Sequence, residues 1–291
     1  MAHRHQGVND TMQRRDFLRT ALGAVAGGAL LPRAAEGLWP DAMRAGLGPI
    51  GIQLYTVRRE MARDVESTLA TIAQIGYREV EFAGLFNHSA KDVRAMLDRH
   101  GLKAPSSHVG MPRRMDQWPA MLDDARTLGQ SYIITPSFPN DDLSPDGMKR
   151  IADQFNAAGA AAKKAGLQFG FHNHAEEFKP VGGQVPYDTL LAECDPSLVK
   201  FEIDIFWMVT GGRDPLTYLA KYPGRFPMVH AKDRTADGRM TDVGSGTIDW
   251  PKMMGAFERA GLKHCFVEHD DPADPFASAR ASYAYLSRLK I

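Results

Sequence analysis

Residues 146–173 read DGMKRIADQFNAAGAAAKKAGLQFGFHN and contain one complete transition from a helix to a strand. Residues 146–165 are a predicted helix, and Leu167 to Asn173 form a β-rich run. Gly166 separates the two. A glycine just past a helix end adopts the left-handed conformation and so ends the helix without a Cβ clash. The stretch therefore predicts a helix, a tight turn and then a strand.

The same unit recurs along the chain. Glycine precedes a β-rich run at positions 76, 101, 129 and 261, while two further runs follow Asp195-Pro196 and Pro223-Gly224. With an opening strand, the pattern predicts eight strands: Ile50–Tyr55, Arg78–Phe82, Leu102–His108, Tyr132–Thr135, Leu167–Asn173, Val199–Ile205, Phe226–Lys232 and Lys263–His269. Helices are predicted near 64–75, 89–100, 115–128, 146–165, 187–193, 214–222, 251–260 and 276–289.

Eight alternating units predict the α/β class, a parallel sheet with right-handed crossovers, and specifically a single (β/α)8 TIM barrel over residues 50–291. A doubly wound open sheet is the alternative, but it usually has fewer units and a glycine fingerprint after its first strand. Here the first strand runs into Thr56-Val57-Arg58-Arg59. In a barrel of this kind, functional residues are expected at the C-terminal ends of the strands.

The composition excludes several classes of function. The 291 residues include 35 basic and 35 acidic side chains, and 44% of the residues are apolar. A neutral chain without a basic excess is not expected to bind nucleic acid by counterion release. No run of about 18 apolar residues is present, so no stable membrane insertion is expected. Two cysteines, Cys194 and Cys265, cannot build a disulfide framework.

The N-terminus has the pattern of an export signal. Residues 13–19 read QRRDFLR, and a small and apolar stretch follows from Thr20 to Leu31. The pair Arg14-Arg15 indicates the twin-arginine route, which exports folded proteins. We therefore predict an export signal over residues 1–35, a lead-in linker over 36–49, recognition by the export machinery and a periplasmic location.

Ligand-type side chains cluster at the predicted strand ends. One such residue alone has an ordinary explanation, because a carboxylate often caps a loop and a histidine such as His108 is as often a hydrogen-bonded core residue. Four neighbouring strands that each bring a His, Asp or Glu to one rim instead indicate a divalent metal site. The sequences concerned are Glu79-Val-Glu81, Ser106-Ser-His108, His172-Asn-His174 with Glu176-Glu177, Glu202-Ile-Asp204, His230-Ala-Lys232-Asp233 and Glu268-His269-Asp270.

Together these segments resemble the xylose-isomerase-like TIM-barrel superfamily, and within it the exported branch called sugar phosphate isomerase/epimerase. The resemblance covers essentially all of 50–291 and is carried by FHNH (171–174), IDIFW (203–207), VHAKD (229–233), VGSGTID (243–249) and VEHD (267–270). It implies one divalent ion, with manganese expected and zinc, cobalt, iron or magnesium as alternatives. It also implies that the ligands come from strands five to eight, in the order Glu, Asp, His, Glu.

Three of these four ligand positions match the chain: Asp204, His230 and Glu268. The first does not, because His172 stands where the family has glutamate, so either His172 is the ligand or Glu177 reaches back from the loop. Trp207 stands where the ketose epimerases have a substrate-binding histidine. These two departures argue against simple ketose epimerisation.

The resemblance implies a keto-sugar or 3-keto-glycoside substrate and an enediolate. Glu268 is the expected base, with Glu177 second and Lys232 near the oxyanion. Reprotonation would give an isomer or epimer, whereas loss of a β-substituent would make the enzyme a dehydratase or lyase, and its reverse a hydratase. A catalytically weakened periplasmic sugar-binding barrel is the alternative function. The remaining predicted substrate-binding residues are His108, His174, Trp207, Tyr55 and Glu81.

Overall fold

The computed structural model describes residues 49–111, 115–138 and 143–289. The predicted export signal at 1–35 and nearly all of the predicted linker at 36–49 lie outside this part of the chain, so both stay predictions. No helix within the described ranges is long and apolar enough to cross a bilayer.

Eight parallel strands form the centre of the molecule, which confirms the predicted (β/α)8 barrel. The strands are β1 Ile50–Gln53, β2 Glu79–Phe82, β3 Lys103–Ser107, β4 Tyr132–Thr135, β5 Gln168–His172, β6 Val199–Asp204, β7 Met228–Ala231 and β10 His264–Val267. Their order in the sheet is β3-β2-β1-β10-β7-β6-β5-β4. The two end strands, β3 and β4, meet through a parallel bridge between His108 and Ile134 and a hydrogen bond from Ser131 N to Pro105 O at 2.9 Å.

Helices cover the outside of the barrel, and all eight predicted helices are present within a few residues. Gly101 and Gly129, with φ of 64° and 77°, end α3 and α4 in the left-handed conformation predicted for them. The helices are α1 Arg58–Arg63, α2 Val65–Ile75, α3 Ala90–His100, α4 Trp118–Leu128, α5 Pro145–Lys164, α6 Pro186–Glu193, α7 Ile205–Thr210, α8 Pro215–Lys221, α9 Trp250–Ala260 and α10 Pro275–Leu286.

Short elements at the C-terminal mouth of the barrel were not predicted. The first strand stops at Gln53 rather than Tyr55, because the Gln53 side chain accepts a hydrogen bond from Tyr55 N and a 3-10 helix begins at Leu54. The sixth stops at Asp204, because its carboxylate caps α7 by accepting from Trp207 N at 2.9 Å. A two-stranded hairpin, β8 Asp233–Arg234 and β9 Met240–Thr241, follows β7.

Side-chain alternation along each strand separates the apolar core from the barrel interior. In β5, Phe169 and Phe171 pack outward against Phe155 of α5, with ring centroids 5.4 Å and 5.3 Å away. Gly170 and His172 therefore point inward. A Cβ at Gly170 would lie 2.6 Å from Ile134 Cδ1, so the interior has no room for a larger residue at this level.

Asp233 organises the loop that follows β7. Its fully buried carboxylate accepts hydrogen bonds from five donors: Arg234 N at 2.7 Å, Gly244 N at 2.8 Å, Gly246 N at 3.2 Å, Ile248 N at 3.3 Å and Trp250 Nε1 at 2.8 Å. A Cβ at Gly246 would lie 2.2 Å from Asp233 Oδ1. Gly244-Ser-Gly246 thus shapes this loop around a carboxylate rather than around a phosphate.

Asp233→Ala is expected to lower the free energy of unfolding by about 3–5 kcal/mol, because buried donors would lose their acceptor. Urea unfolding of the purified protein measures the change. Asp237→Ala, in the same loop but at an exposed position, is the control and should leave stability nearly unchanged. Equal effects of the two substitutions would contradict the role given to Asp233.

Candidate active site

The inward-pointing side chains at the strand ends form a polar cluster at the C-terminal mouth. In the register of neighbouring strands, His172 pairs with Glu202, and Asp204 pairs with His230. Residues two apart on one strand share a face, so Glu202 and Asp204 both point inward at successive depths. All four are at most 2% exposed.

The upper layer of the cluster consists of His172, Asp204, His230 and Glu268, whose ligand-type atoms all lie within 4.8 Å of one another. His230 Nδ1 is 2.7 Å from Glu268 Oε2 and 3.9 Å from Asp204 Oδ2. His172 Nε2 is 3.7 Å from Asp204 Oδ2. The structure thus brings together His172 and the three residues that match the family's ligand positions.

Glu177, the alternative to His172, does not belong to this group of four. Glu177 lies in the short 3-10 helix Glu176–Phe178, and its buried carboxylate accepts a hydrogen bond from His174 N at 2.9 Å. Burial raises its pKa to about 7. Glu177 is also absent from the residues that line the adjacent pocket.

The lower layer lies beneath these four residues and contains Glu81 and Glu202, and His108 contacts it from the side. Glu202 Oε2 is 2.7 Å from His108 Nε2, and Glu81 Oε2 is 2.7 Å from His230 Nε2. The sequence pattern placed Glu202 on the same face as Asp204 but assigned it no role. Glu81, predicted to bind substrate, is fully buried and does not line the pocket. Its position under His230 instead lets it support that imidazole.

Lys232 lies directly after β7 and connects three carboxylates. Its buried Nζ is 3.1 Å from Asp204 Oδ2, 2.8 Å from Glu268 Oε2 and 2.8 Å from Asp270 Oδ1. Burial acts to lower the pKa of Lys232, but the negative charges of Asp204, Glu268 and Asp270 raise it above its ordinary value. The side chain is therefore a fixed cation beside the upper layer.

The buried charges shift the pKa values of the cluster in both directions. Burial lowers the pKa of His172 well below its ordinary value, and the neighbouring His230 lowers it further. Burial opposes the charged forms of His230 and Glu268 as well. The Glu202 and Glu268 carboxylates nevertheless raise the pKa of His230 above its ordinary value. Lys232 and His230 lower the pKa of Glu268 below its ordinary value. Glu268 is therefore ionised at neutral pH.

The upper layer fits a divalent cation. Asp204 uses Oδ1 to cap α7, while its buried Oδ2 has no hydrogen-bond partner among the described residues and makes only ion-pair contacts, with Lys232, His172 and His230. Two imidazoles and two carboxylates form a donor set that suits manganese, zinc, cobalt or iron(II). Glu81, Glu202, Asp204 and Glu268 place four buried carboxylates around this position, where a divalent ion would add positive charge.

A pocket of about 350 Å³ opens above this layer. Tyr55, His108 and His174, three of the predicted substrate-binding residues, lie in its wall together with Lys232 and Glu268. Trp207 packs beside it, its ring centroid 5.7 Å from that of His174. Sequence reasoning assigned no role to Asp270, although the quoted VEHD segment contains it. The lining residues are Tyr55, Ala83, His108, Pro136, His172, His174, Lys232, Glu268 and Asp270.

Tyr55 forms an exposed rim of the pocket, with 41% of its surface accessible. The Arg58 guanidinium lies over the Tyr55 ring, 4.1 Å from its centroid, and donates hydrogen bonds to the carbonyls of Tyr55 and Asp270. This contact connects the loop after β1 to the loop after β10. It holds an aromatic face at the entrance.

Known proteins resemble the chain in sequence and in fold. An inosose dehydratase of Geobacillus kaustophilus is 25% identical over 272 residues, an alignment that covers 77% of this chain and 87% of that protein. A crystal structure of a sugar phosphate isomerase/epimerase from Parabacteroides distasonis is 28% identical, with a TM-score of 0.75, and the match covers 83% of this chain and 99% of that one.

A third likeness concerns the fold alone. The crystal structure of the IOLI protein with a bound zinc atom is 14% identical, with a TM-score of 0.62, and the match covers 81% of this chain and 96% of that one. The model of the family described as xylose isomerase-like TIM barrel matches residues 69–289, a span that includes seven of the eight barrel strands and all four upper-layer residues. The chain belongs to the xylose isomerase-like TIM barrel family.

Proposed function

We propose that this protein is a divalent-metal-dependent enzyme of the sugar isomerase, epimerase or dehydratase type, acting on a keto-sugar or 3-keto-glycoside. The convergence of His172, Asp204, His230 and Glu268 beneath a polar pocket carries the proposal. The relatives named inosose dehydratase and sugar phosphate isomerase/epimerase support the same class of chemistry.

His172, Asp204, His230 and Glu268 would hold the ion, with manganese our first expectation. Such an ion, when bound, stabilises negative charge on a carbonyl oxygen and its neighbouring hydroxyl, and so makes the α-hydrogen acidic. Beneath the site, the side chains of Glu81 and Glu202 are fully buried and have no access to bulk water.

Glu268 is the residue that we assign to remove the α-proton. Its carboxylate is ionised and lines the pocket, whereas Glu177, whose pKa of about 7 would suit a base, does not line it. The geometry therefore supports Glu268 over Glu177 as the base. Lys232 Nζ, 2.8 Å from Glu268 Oε2, is placed to donate a hydrogen bond to the developing oxyanion.

The pocket wall suits a sugar. Its volume of about 350 Å³ is at the small end of ligand pockets, which matches a monosaccharide unit. We assign the Tyr55 ring to the apolar face of the sugar, and His108 and His174 to its hydroxyl groups. Burial and the nearby Lys232 lower the pKa of His174 to about 4, so at neutral pH its imidazole both donates and accepts a hydrogen bond.

The acids that line the pocket all lie on one side of it. Glu268 and Asp270 both follow β10, while the facing wall contributes His108 and His174. Inversion at carbon is easiest with a base on each face, so this arrangement favours elimination or hydration over epimerisation.

The ion-loaded protein is expected to convert a 3-keto-glycoside to an unsaturated ketone, seen by ultraviolet absorbance and NMR. Clean inversion with no unsaturated product would contradict this preference.

A catalytically weakened sugar-binding barrel is the second candidate. His172 and Trp207 occupy positions where related enzymes have glutamate and histidine, and this observation favours it. Calorimetry and turnover assays with one panel of keto-glycosides separate the two candidates. Binding without turnover in the presence of manganese, zinc or cobalt would support the binding protein.

We further propose that the protein is exported by the twin-arginine route and acts in the periplasm. Arg14-Arg15 before an apolar stretch supports this proposal. Replacing both arginines with lysine is expected to leave folded protein in the cytoplasm, because a receptor reads the pair. Cell fractionation and immunoblotting measure the distribution. Normal periplasmic accumulation of the variant would contradict the proposal.

A further inference from the structure

Two buried carboxylates lie beneath the proposed metal ligands, and each has one oxygen without a partner among the described residues. Glu81 and Glu202 are both fully buried, and Oε1 of each has no hydrogen-bond partner among the described residues. A buried carboxylate with an unpartnered oxygen costs stability unless something else compensates its charge. Their contribution must therefore be sought in the site above them.

The other oxygen of each carboxylate faces the rear nitrogens of the two ligand histidines. His230 Nε2 lies 2.7 Å from Glu81 Oε2 and 3.2 Å from Glu202 Oε2. His172 Nδ1 lies 3.4 Å from Glu202 Oε2, an ion-pair contact, and has no hydrogen-bond partner among the described residues. The front nitrogens face the upper layer instead, with His230 Nδ1 2.7 Å from Glu268 Oε2 and His172 Nε2 3.7 Å from Asp204 Oδ2.

With an ion bound among the upper-layer residues, this arrangement would favour one tautomer at each histidine. A neutral imidazole carries a proton on one nitrogen and a lone pair on the other. A carboxylate at the rear nitrogen holds the N–H there and leaves the lone pair at the front, where a cation can accept it. His230 and His172 use opposite nitrogens for this purpose, because their strands present the two rings in different orientations.

We propose that Glu81 and Glu202 are positioning residues that make His230 bind the ion through Nδ1 and His172 through Nε2. This inference rests on the metal site of the proposed function. The carboxylates are themselves held in place, since Gln53 Nε2 donates to Glu81 Oε2 at 2.8 Å and His108 Nε2 lies 2.7 Å from Glu202 Oε2. Gln53 and His108 thus extend the support to β1 and β3.

A second ion in the lower layer is the competing explanation. His108, His172, Glu202 and His230 also present ligand-type atoms within 4.8 Å of one another. This set shares His172 and His230 with the upper one, so two ions would require both histidines to bind metal through both nitrogens. The shared histidines favour a single ion supported from below.

Cobalt(II) alone is the probe for the first test, because it reports its ligand geometry in the visible spectrum. Glu202→Gln and Glu81→Gln are each expected to weaken Co²⁺ binding about 10- to 100-fold and to change that spectrum. The unfolding midpoint, measured without the ion, is the control for folding of each variant. Glu79→Gln is the matched control: it faces His264 at 2.8 Å in the barrel end away from the site and should leave Co²⁺ affinity unchanged.

The second test uses the unaltered protein loaded with zinc, so it does not depend on the folding of a variant. Nitrogen-15 NMR of the histidine rings should show protons on His230 Nε2 and His172 Nδ1. Protons on the opposite nitrogens, two ions per chain, or a lowered midpoint with unchanged Co²⁺ affinity in Glu202→Gln and Glu81→Gln would overturn the inference while leaving the proposed function intact. Failure of the unaltered protein to bind Co²⁺ or zinc would overturn both.

Discussion

Glu268→Gln is expected to slow exchange of the substrate α-hydrogen with solvent by about 10²–10⁴-fold, the usual contribution of a positioned base. When an enzyme forms an enediolate and its base is accessible to water, the abstracted hydrogen exchanges with solvent. Keto-sugar incubated in D2O with the enzyme should therefore gain deuterium at the carbon beside the carbonyl. Proton NMR measures the loss of signal. Glutamine has nearly the volume of glutamate, so the barrel should remain folded, and any loss of the ion would add to the effect.

Glu177→Gln is the matched control for this experiment. Its carboxylate is buried near the site but does not line the pocket, so exchange should continue at a similar rate. If Glu177→Gln abolishes exchange and Glu268→Gln does not, the assignment of the base is wrong. Exchange that persists in both variants would contradict proton removal by either carboxylate.

His230→Ala and Asp204→Asn are expected to remove the bound ion. The unaltered protein should carry about one divalent ion per chain. Because loss of an outer partner of a ligand already costs about 10–100-fold in affinity, loss of a ligand should cost at least about 100-fold. Asparagine at 204 keeps an oxygen that can cap α7, which limits the effect on folding. Elemental analysis after incubation with manganese, zinc and cobalt gives the stoichiometry.

His264→Ala is the control for the metal experiment. His264 also belongs to a barrel strand and also faces a glutamate, but it starts β10, at the end of the barrel remote from the pocket. It should retain the full metal content. Unaltered protein that binds no ion after careful preparation, or variants at 230 and 204 that bind as well as the control, would contradict the proposed centre.

The barrel was predictable from local signals. A glycine at the end of a helix, such as Gly101 after α3, predicts from the sequence alone where the helix ends and the next strand follows. Alternation then assigns faces, and it placed His172, Asp204 and His230 in the barrel interior. The expectation that these residues meet at one rim also follows from the fold, because parallel barrel strands all end at the same mouth.

Depth within the barrel was not predictable. Alternation gave Glu202 and Asp204 the same face, but only the contacts between strands show that Glu202 faces the rear nitrogens of His172 and His230. The same limit applies to Glu81, which alternation directs inward but which lies under His230 rather than beside a substrate. Strand stagger depends on closure of the whole sheet, so short-range sequence patterns do not contain it.

The short elements at the mouth were missed for a related reason. Asp204 ends β6 and also caps α7, so a single residue has a strand role and a capping role that periodicity cannot separate. The position of Glu177 outside the group of four depends on the loop conformation, in which its carboxylate accepts a hydrogen bond from His174 N. Both features depend on contacts made after the barrel has closed.

A crystal of the protein soaked with manganese and a keto-sugar tests the central claim most directly. Anomalous scattering is predicted to locate one ion among His172, Asp204, His230 and Glu268, with the sugar in the pocket and its α-carbon about 3–3.5 Å from the Glu268 carboxylate, the separation of groups poised to react. A sugar bound away from Glu268, or an ion bound outside these four residues, would contradict the account.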